Sequence, residues 1–342
     1  MFRMTKRTTG AAAGLLLTGL VLSACAAEAA PSASVDSPDA IGDGGTIRLL
    51  VNPSGTQSFP PFVMDTMDLD EKYGFNLEIV NSTDAATVFR AGDADAMVTS
   101  WNVVGNLNNA GVGIIGVAPF TSWVNTVVVP EDGDVETVGD LEGKRVGIFG
   151  RTSADWFILD AYAQQEYGVD LEVDATLTEG QSPALLRGLI EQGQLDATQM
   201  YNDLTPAMTG SGDFRVLETV GDMADAIGLP EEVPVLLYGF SIEFTEENPD
   251  NVRAFVKAYQ EAIAILMEDD EVWAAQAANL EITDEGVIAE LREMSRSALR
   301  SSFTEDSESQ LQEMADILIP LVGETNLGFS KMPDKVITLE FQ

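Results

Sequence analysis

The side chains able to do chemistry in this chain of 342 residues are few in kind. It has no histidine and one cysteine, Cys25. Ser-His-Asp and Cys-His nucleophiles, His-ligated metals, thiolate zinc clusters and internal disulfides are therefore excluded. What remains is the stretch Gly150-Arg151-Thr152-Ser153, read between a strand at 145–149 and a helix over 153–167. A helix N-terminus offers unpaired N–H groups and partial positive charge to an anion, and the Thr152 and Ser153 hydroxyls add donors. The same hydroxyls can equally cap their own helix. Arg151 is the one cation in any segment expected to face a cleft, where it would neutralise a carboxylate or sulfonate; a plain surface arginine fits as well. No cofactor and no metal are expected, and no catalysis.

Other polar and aromatic residues gather where expected strands end. Ser54, Thr56, Gln57 and Phe59 follow the first strand, and Thr99-Ser100-Trp101-Asn102 closes another. Thr121-Ser122-Trp123 and Tyr201-Asn202 stand at similar places. A tryptophan between a strand's carboxyl end and a helix is expected to face a crevice, although such rings also fill cores. The aromatic set Phe59, Trp101, Trp123, Trp156 and Tyr201 suits a flat heterocycle. Arg151 suits an organic anion. Both classes stay open.

The elements that must position these residues alternate. Short apolar strands ended by turn clusters are followed by helices, with strands expected at 47–51, 75–80, 95–99, 112–117 and 123–129. A helix is expected over 63–73, and another over 85–91, capped by Asp84 and closed by Gly92. A second series runs through strands at 145–149, 171–177, 197–200 and 214–217, with a further strand at 234–242. Beyond 248 the chain reads as nearly all helix. Such alternation implies βαβ units and mostly parallel sheets. Two series joined near 131 and again near 241 make two lobes with two crossings. Ligands of such sheets sit at the carboxyl ends of strands, in a cleft that closes by hinge motion.

The N-terminus carries its own chemistry. Arg3, Lys6 and Arg7 precede an apolar run at 11–21 that is too short to span a bilayer. Leu22-Ser23-Ala24-Cys25 then reads as a bacterial lipoprotein cleavage site, with Cys25 lipidated; an ordinary secretory signal with a chance cysteine is the alternative. Residues 26–45 are Ala, Ser, Pro, Asp and Gly with little apolar bulk, and read as a flexible tether. The chain holds 18 Lys+Arg against 56 Asp+Glu, a net charge of −38. Residues 1–24 contribute three of those cations and no acid, so cleavage leaves −41. Nucleic-acid binding is excluded on that balance, and solubility at a saline or exposed cell surface explains it.

Six stretches in order carry a family resemblance. They are Glu71-Lys72-Tyr73-Gly74-Phe75-Asn76-Leu77-Glu78, Phe89-Arg90-Ala91-Gly92-Asp93-Ala94-Asp95-Ala96 and Asp140-Leu141-Glu142-Gly143-Lys144-Arg145-Val146-Gly147. After these come Gly150-Arg151-Thr152-Ser153-Ala154-Asp155-Trp156-Phe157, Gly193-Gln194-Leu195-Asp196-Ala197 and Asn248-Pro249-Asp250-Asn251-Val252. Together they resemble the periplasmic binding proteins of sulfonate, taurine, nitrate and thiamine-precursor importers, the pyrimidine-precursor-synthase-like family.

The resemblance implies an α/β fold of the two-lobed periplasmic binding protein type II. Lobe one would hold 46–130 and 241–342, with the C-terminal helices packed on it, and lobe two 131–240. It implies a monomeric solute-binding lipoprotein on the extracytoplasmic face of the cell membrane, working with an ABC permease and ATPase. It further implies ligand contacts at Thr152 and Ser153 and at the first-lobe places holding Thr56, Gln57, Phe59, Ser100, Trp101 and Asn102; Arg151 departs from the small residue usual there. A surface lipoprotein feeding a sensor kinase is the alternative, and the family's synthase is disfavoured because its histidine and cysteine-rich motif have no counterpart.

Overall fold

The computed structural model describes residues 39–52, 56–180, 182–230 and 233–342. The expected signal segment, Cys25, most of the expected tether and Ser54 lie outside them. The chain opens with β1 (Thr46–Val51), a 3-10 turn (Thr56–Ser58), α1 (Phe59–Thr66), α2 (Leu69–Tyr73), β2 (Asn76–Asn81) and α3 (Ala85–Arg90). It continues through β3 (Ala96–Ser100), α4 (Trp101–Asn109), β4 (Ile114–Thr121) and β5 (Thr126–Pro130). The middle third holds β6 (Arg145–Ile148), α5 (Ala154–Tyr162), α6 (Leu171–Asp174), β7 (Thr176–Glu179) and α7 (Pro183–Glu191). Then come β8 (Ala197–Met200), α8 (Thr205–Thr209), β9 (Phe214–Thr219), α9 (Val220–Ala226) and β10 (Leu236–Ser241). Helices complete it: α10 (Ile242–Glu247), α11 (Pro249–Glu268), α12 (Glu271–Asn279), α13 (Glu285–Ala298), α14 (Ser307–Val322) and α15 (Glu324–Leu327).

Two five-stranded sheets result, ordered β2-β1-β3-β10-β4 and β7-β6-β8-β5-β9. The orders are the same once the strands are matched lobe to lobe. In each, the first three strands pair in parallel and the fourth lies antiparallel to both neighbours. That reversed strand is the exchanged one. β10 follows the second series yet completes the first sheet, and β5 follows the first series yet completes the second. The expected lobe boundaries after 130 and after 240 therefore fall one strand late. Both strands are apolar runs with no period to reveal which sheet takes them.

A matching device locks the centre of each sheet. Arg48 lies in β1, and its backbone N–H and guanidinium both donate to Asp95, at 2.9 and 2.6 Å. Arg145 opens β6 and does the same to Asp196, at 2.8 and 2.5 Å. Each aspartate ends a loop that turns on a left-handed glycine, Gly92 (φ 77°) or Gly193 (φ 69°), a conformation that favours glycine. The paired Gly-x-x-Asp-Ala sequences are thus one structural clip used twice.

Other local departures have physical causes. The helix expected over 63–73 breaks in two where Asp68 takes a left-handed φ of 49°. Residues 171–177 form a short helix before β7 rather than one strand, because Asp160 accepts the Leu171 N–H at 3.1 Å and fixes a turn there. The expected tether ends early. Ile41 and Gly42 donate to the Tyr73 carbonyl, and Asp43 exchanges hydrogen bonds with Asn251. α11 buries Val252, Phe255, Val256, Tyr259, Ile263 and Leu266, a helical stripe that packs on α1 and α2. α11 and α12 thereby return to the first lobe, while α14 also reaches the second and lies against α5.

Candidate functional site

Because each sheet takes a strand from the other series, the backbone crosses between lobes twice, at 122–125 and at 233–235. The crossings are stitched together: Val235 N–H donates to the Thr121 carbonyl at 2.9 Å, and Trp101 N–H to the Val235 carbonyl at 3.1 Å. A cavity of about 200 Å³ sits on them. The first lobe contributes Gln57, Thr99 and Ser100, and the crossings contribute 121–125, Val235 and Leu236. The second lobe contributes Phe149, Ser153, Ala154, Asp155 and Tyr201. Thr99, Thr121, Phe149 and Tyr201 stand at or just beyond the carboxyl ends of β3, β4, β6 and β8, the position at which open α/β sheets bind ligands.

The lining is aromatic and polar. The Tyr201 ring lies tilted on Phe149 with centroids 4.3 Å apart. Thr121 Oγ1 and Trp123 Nε1 are buried without a hydrogen-bond partner. Buried polar groups are normally paired, so these two are exceptions in the segment that lines the cavity. Asn125 is fixed from both sides, its Oδ1 accepting from Asn202 N–H and its Nδ2 donating to Asp155 Oδ2 at 3.0 Å. Burial pushes the Asp155 carboxyl up to about 6, against which the Asn125 bond pulls it down. Burial, with Asp155 and Asp203 nearby, also raises the Tyr201 phenol. Among the described residues no lysine or arginine lines the cavity. Among the described residues no group of His, Cys, Asp or Glu stands close enough to hold a metal ion.

Gln57, Ser100, Trp123, Ser153 and Tyr201, all expected at the site, are placed in this lining. Ser153 also caps α5, its Oγ accepting from Trp156 N–H at 3.1 Å, so both readings of that residue coexist. The other expected residues fall elsewhere. Thr56 is buried in the 3-10 turn, and Phe59 stacks on Trp273 in the first-lobe core. Trp101 is 0% exposed and packs edge-on against Phe329 beneath α4, so it does not face the crevice as expected. Trp156 is likewise core, on the buried face of α5. Arg151 does not neutralise a ligand: its guanidinium is ion-paired with Glu172 at 2.8 Å and with Glu179. Thr152 is exposed, and its carbonyl accepts from Asn102 Nδ2 at 3.0 Å. Asn202 Nδ2 donates to Ser295 Oγ on α13 at 3.1 Å. Asn102 and Asn202 are thus links between the lobes, outside the lining. Sequence reasoning passed over Asp155, which lies inside a quoted motif, and Asn125 and Phe149, which no pattern marks.

The family model described as NMT1/THI5 like matches residues 71–272, more than half of the chain. The chain belongs to the NMT1/THI5-like family. Solved structures agree on the fold of this NMT1/THI5-like protein. The alkanesulfonate-binding protein SsuA of Xanthomonas axonopodis pv. citri, bound to MOPS, superposes with a TM-score of 0.69 at 17% identity, covering 86% of this chain and 98% of that one. The periplasmic aliphatic sulphonate binding protein SsuA of Escherichia coli gives 0.65 at 18% identity, covering 84% and 93%. The periplasmic nitrate-binding protein NrtA of Synechocystis PCC 6803 gives 0.63 at 12%, covering 83% and 82%. The shared architecture is the expected two-lobed α/β periplasmic binding protein fold. No curated protein matches the chain by sequence.

The Asp155 carboxyl makes the site measurable without a ligand. A carboxyl held up at about 6 binds an extra proton on folding once pH exceeds its ordinary 3.8. It therefore costs stability as pH climbs through that window and a constant amount above it. Asp155→Asn removes the cost. Denaturant titration is expected to find the variant more stable than wild type by about 1–2 kcal/mol above pH about 7, the carboxyl being partly screened by its cavity, and equal to it below pH about 4.

Proposed function

We propose that this protein is the extracytoplasmic solute-binding component of an ABC-type importer, catalysing nothing itself. The observation that carries the reading is the cavity between the lobes, walled by both and floored by both crossings, with unsatisfied buried groups at Thr121 and Trp123. Groups from both lobes can contact one solute, and that differential contact is what draws such lobes shut. At about 200 Å³ the cavity suits a small metabolite, below the range of drug-sized sites. Of the two ligand classes the sequence left open, the lining favours the ring-bearing one. Trp123, Phe149 and Tyr201 supply apolar faces, whereas the cation an organic anion would need is absent from the wall.

The reading extends to the cell. Capture outside the membrane, delivery to a permease and ATPase, and action as a monomer accompany this fold in its importer role. Cys25 would tether the receptor through lipid, as the residues around it imply. An enzyme of the family would need the histidine chemistry this chain lacks.

Two experiments test the proposal. The purified protein is dialysed against a small-molecule metabolite extract, and the retained solute is identified by mass spectrometry and titrated by calorimetry. Binding at one to one is expected, with Trp123→Ala weakening it by about 2–4 kcal/mol while circular dichroism stays unchanged. Unaltered affinity in that variant would remove the cavity from the account. For the anchor, Cys25→Ala is expected to leave the signal uncut or to release the protein into the medium; a variant that is correctly processed and still membrane-bound sinks that part.

A further inference from the structure

We infer that Asp155 makes the cavity selective for a small organic cation, a compact ring-bearing solute with a protonated nitrogen. The inference rests on the receptor reading of the cavity and goes beyond it in naming the ligand's charge. Asp155 is the one charged residue in the cavity wall among the described residues. Its Oδ2 takes the Asn125 amide at 3.0 Å, and no donor to Oδ1 stands among the described residues. Asp155 is partly buried, so a carboxylate oxygen open to the cavity favours a cation or strong donor there over an anion. The wall supplies what a cation needs besides, in the rings of Trp123, Phe149 and Tyr201.

The charges around Asp155 point the same way. Arg151, four residues before it, is held on the second-lobe rim by Glu172 and Glu179. The helices packed on α5 bring only acids: Asp222 and Asp225 on α9, and Glu308, Glu313 and Asp316 on α14. From the segment after β8, Tyr201 and Asp203 face the same region, and neither is positive. Asp155 itself responds to burial and to Asn125. An anionic ligand would enter a negative wall inside a chain of net charge −38 and find no counter-charge. A cation would find a carboxylate in low dielectric, where pairing is strongest.

The test uses the purified full chain in detergent and three probes of nearly one shape: benzylamine, benzyl alcohol and benzoate. Binding is followed by tryptophan fluorescence and calorimetry. Benzylamine is expected to bind at least about tenfold tighter than benzyl alcohol at neutral pH, with benzoate the weakest. Its ammonium stays protonated throughout, so only Asp155 titrates. Affinity is expected to be flat above pH about 7 and to fall about tenfold per unit below pH about 5, as Asp155 takes a proton. Asp155→Asn is expected to remove both the preference for the amine over the alcohol and the pH step. Should that variant fail to fold, the wild-type pH profile decides alone. Equal binding of amine and alcohol overturns the inference, as does tightening toward low pH, or no binding of any probe. Benzoate binding that is strongest and lost in Trp123→Ala overturns the cation while leaving the receptor reading intact. A retained solute indifferent to Trp123→Ala defeats the receptor reading itself.

Discussion

Each sheet of this protein takes its fourth strand from the chain segment leaving the other lobe, and the rest of the molecule is arranged around that exchange. β5 and β10 must cross in opposite directions, so the two connections lie side by side at 121–125 and 233–236, joined by the bonds among Thr121, Val235 and Trp101. Two adjacent connections between packed lobes are where a hinge of the proposed receptor would bend. They are also the cavity floor. A solute resting there touches the segment whose dihedrals must change, and walls from both lobes meet over it. The lobes are held together by apolar packing, α14 lying against α5, and by polar links that are modest. Asn102 to Thr152 and Asn202 to Ser295 are neutral hydrogen bonds, each worth about 1 kcal/mol net, weak enough to break when the cleft opens.

The distribution of charge follows from the same division of labour. With 18 basic residues against 56 acids, cations are scarce, and several of those present serve structure. Arg48 and Arg145 clip the central strands to Asp95 and Asp196, each satisfying a backbone N–H as well as an ion pair. Arg151 fastens the segment before α5 to α6 and β7 through Glu172 and Glu179. The cavity is left with one carboxylate and a set of rings. Solved structures of this fold include proteins named for sulfonate and nitrate, while the charged group in this wall is a carboxylate. Fold and ligand charge are set by different residues.

Much of this architecture was legible beforehand, because period and punctuation report local structure. Strand β8 and helix α7 emerge from apolar runs between turn residues, and α3 from its Asp84 cap and Gly92 stop. The strand exchange was not legible, since an apolar strand carries no mark of its sheet. Trp101 misled for a related reason: its place between strand and helix fits a cleft, but as the first residue of α4 it falls on the same buried face as Val104. For Arg151 the sequence left a ligand contact and a surface arginine open, because its partners, Glu172 and Glu179, lie far along the chain. Asp155 hid behind Ser153, being one of many acids until the fold set it in a wall without a counter-ion.

The claim on which the account stands is that one solute engages both lobes and both crossings at once. Hydrogen exchange, resolved by peptide, on the protein with and without its retained solute tests this most directly. The account requires amide exchange to slow together in 121–125, 153–157 and 233–236, with the outer helices of each lobe unchanged. Slowing confined to one lobe, with 121–125 and 233–236 exchanging as before, would contradict it.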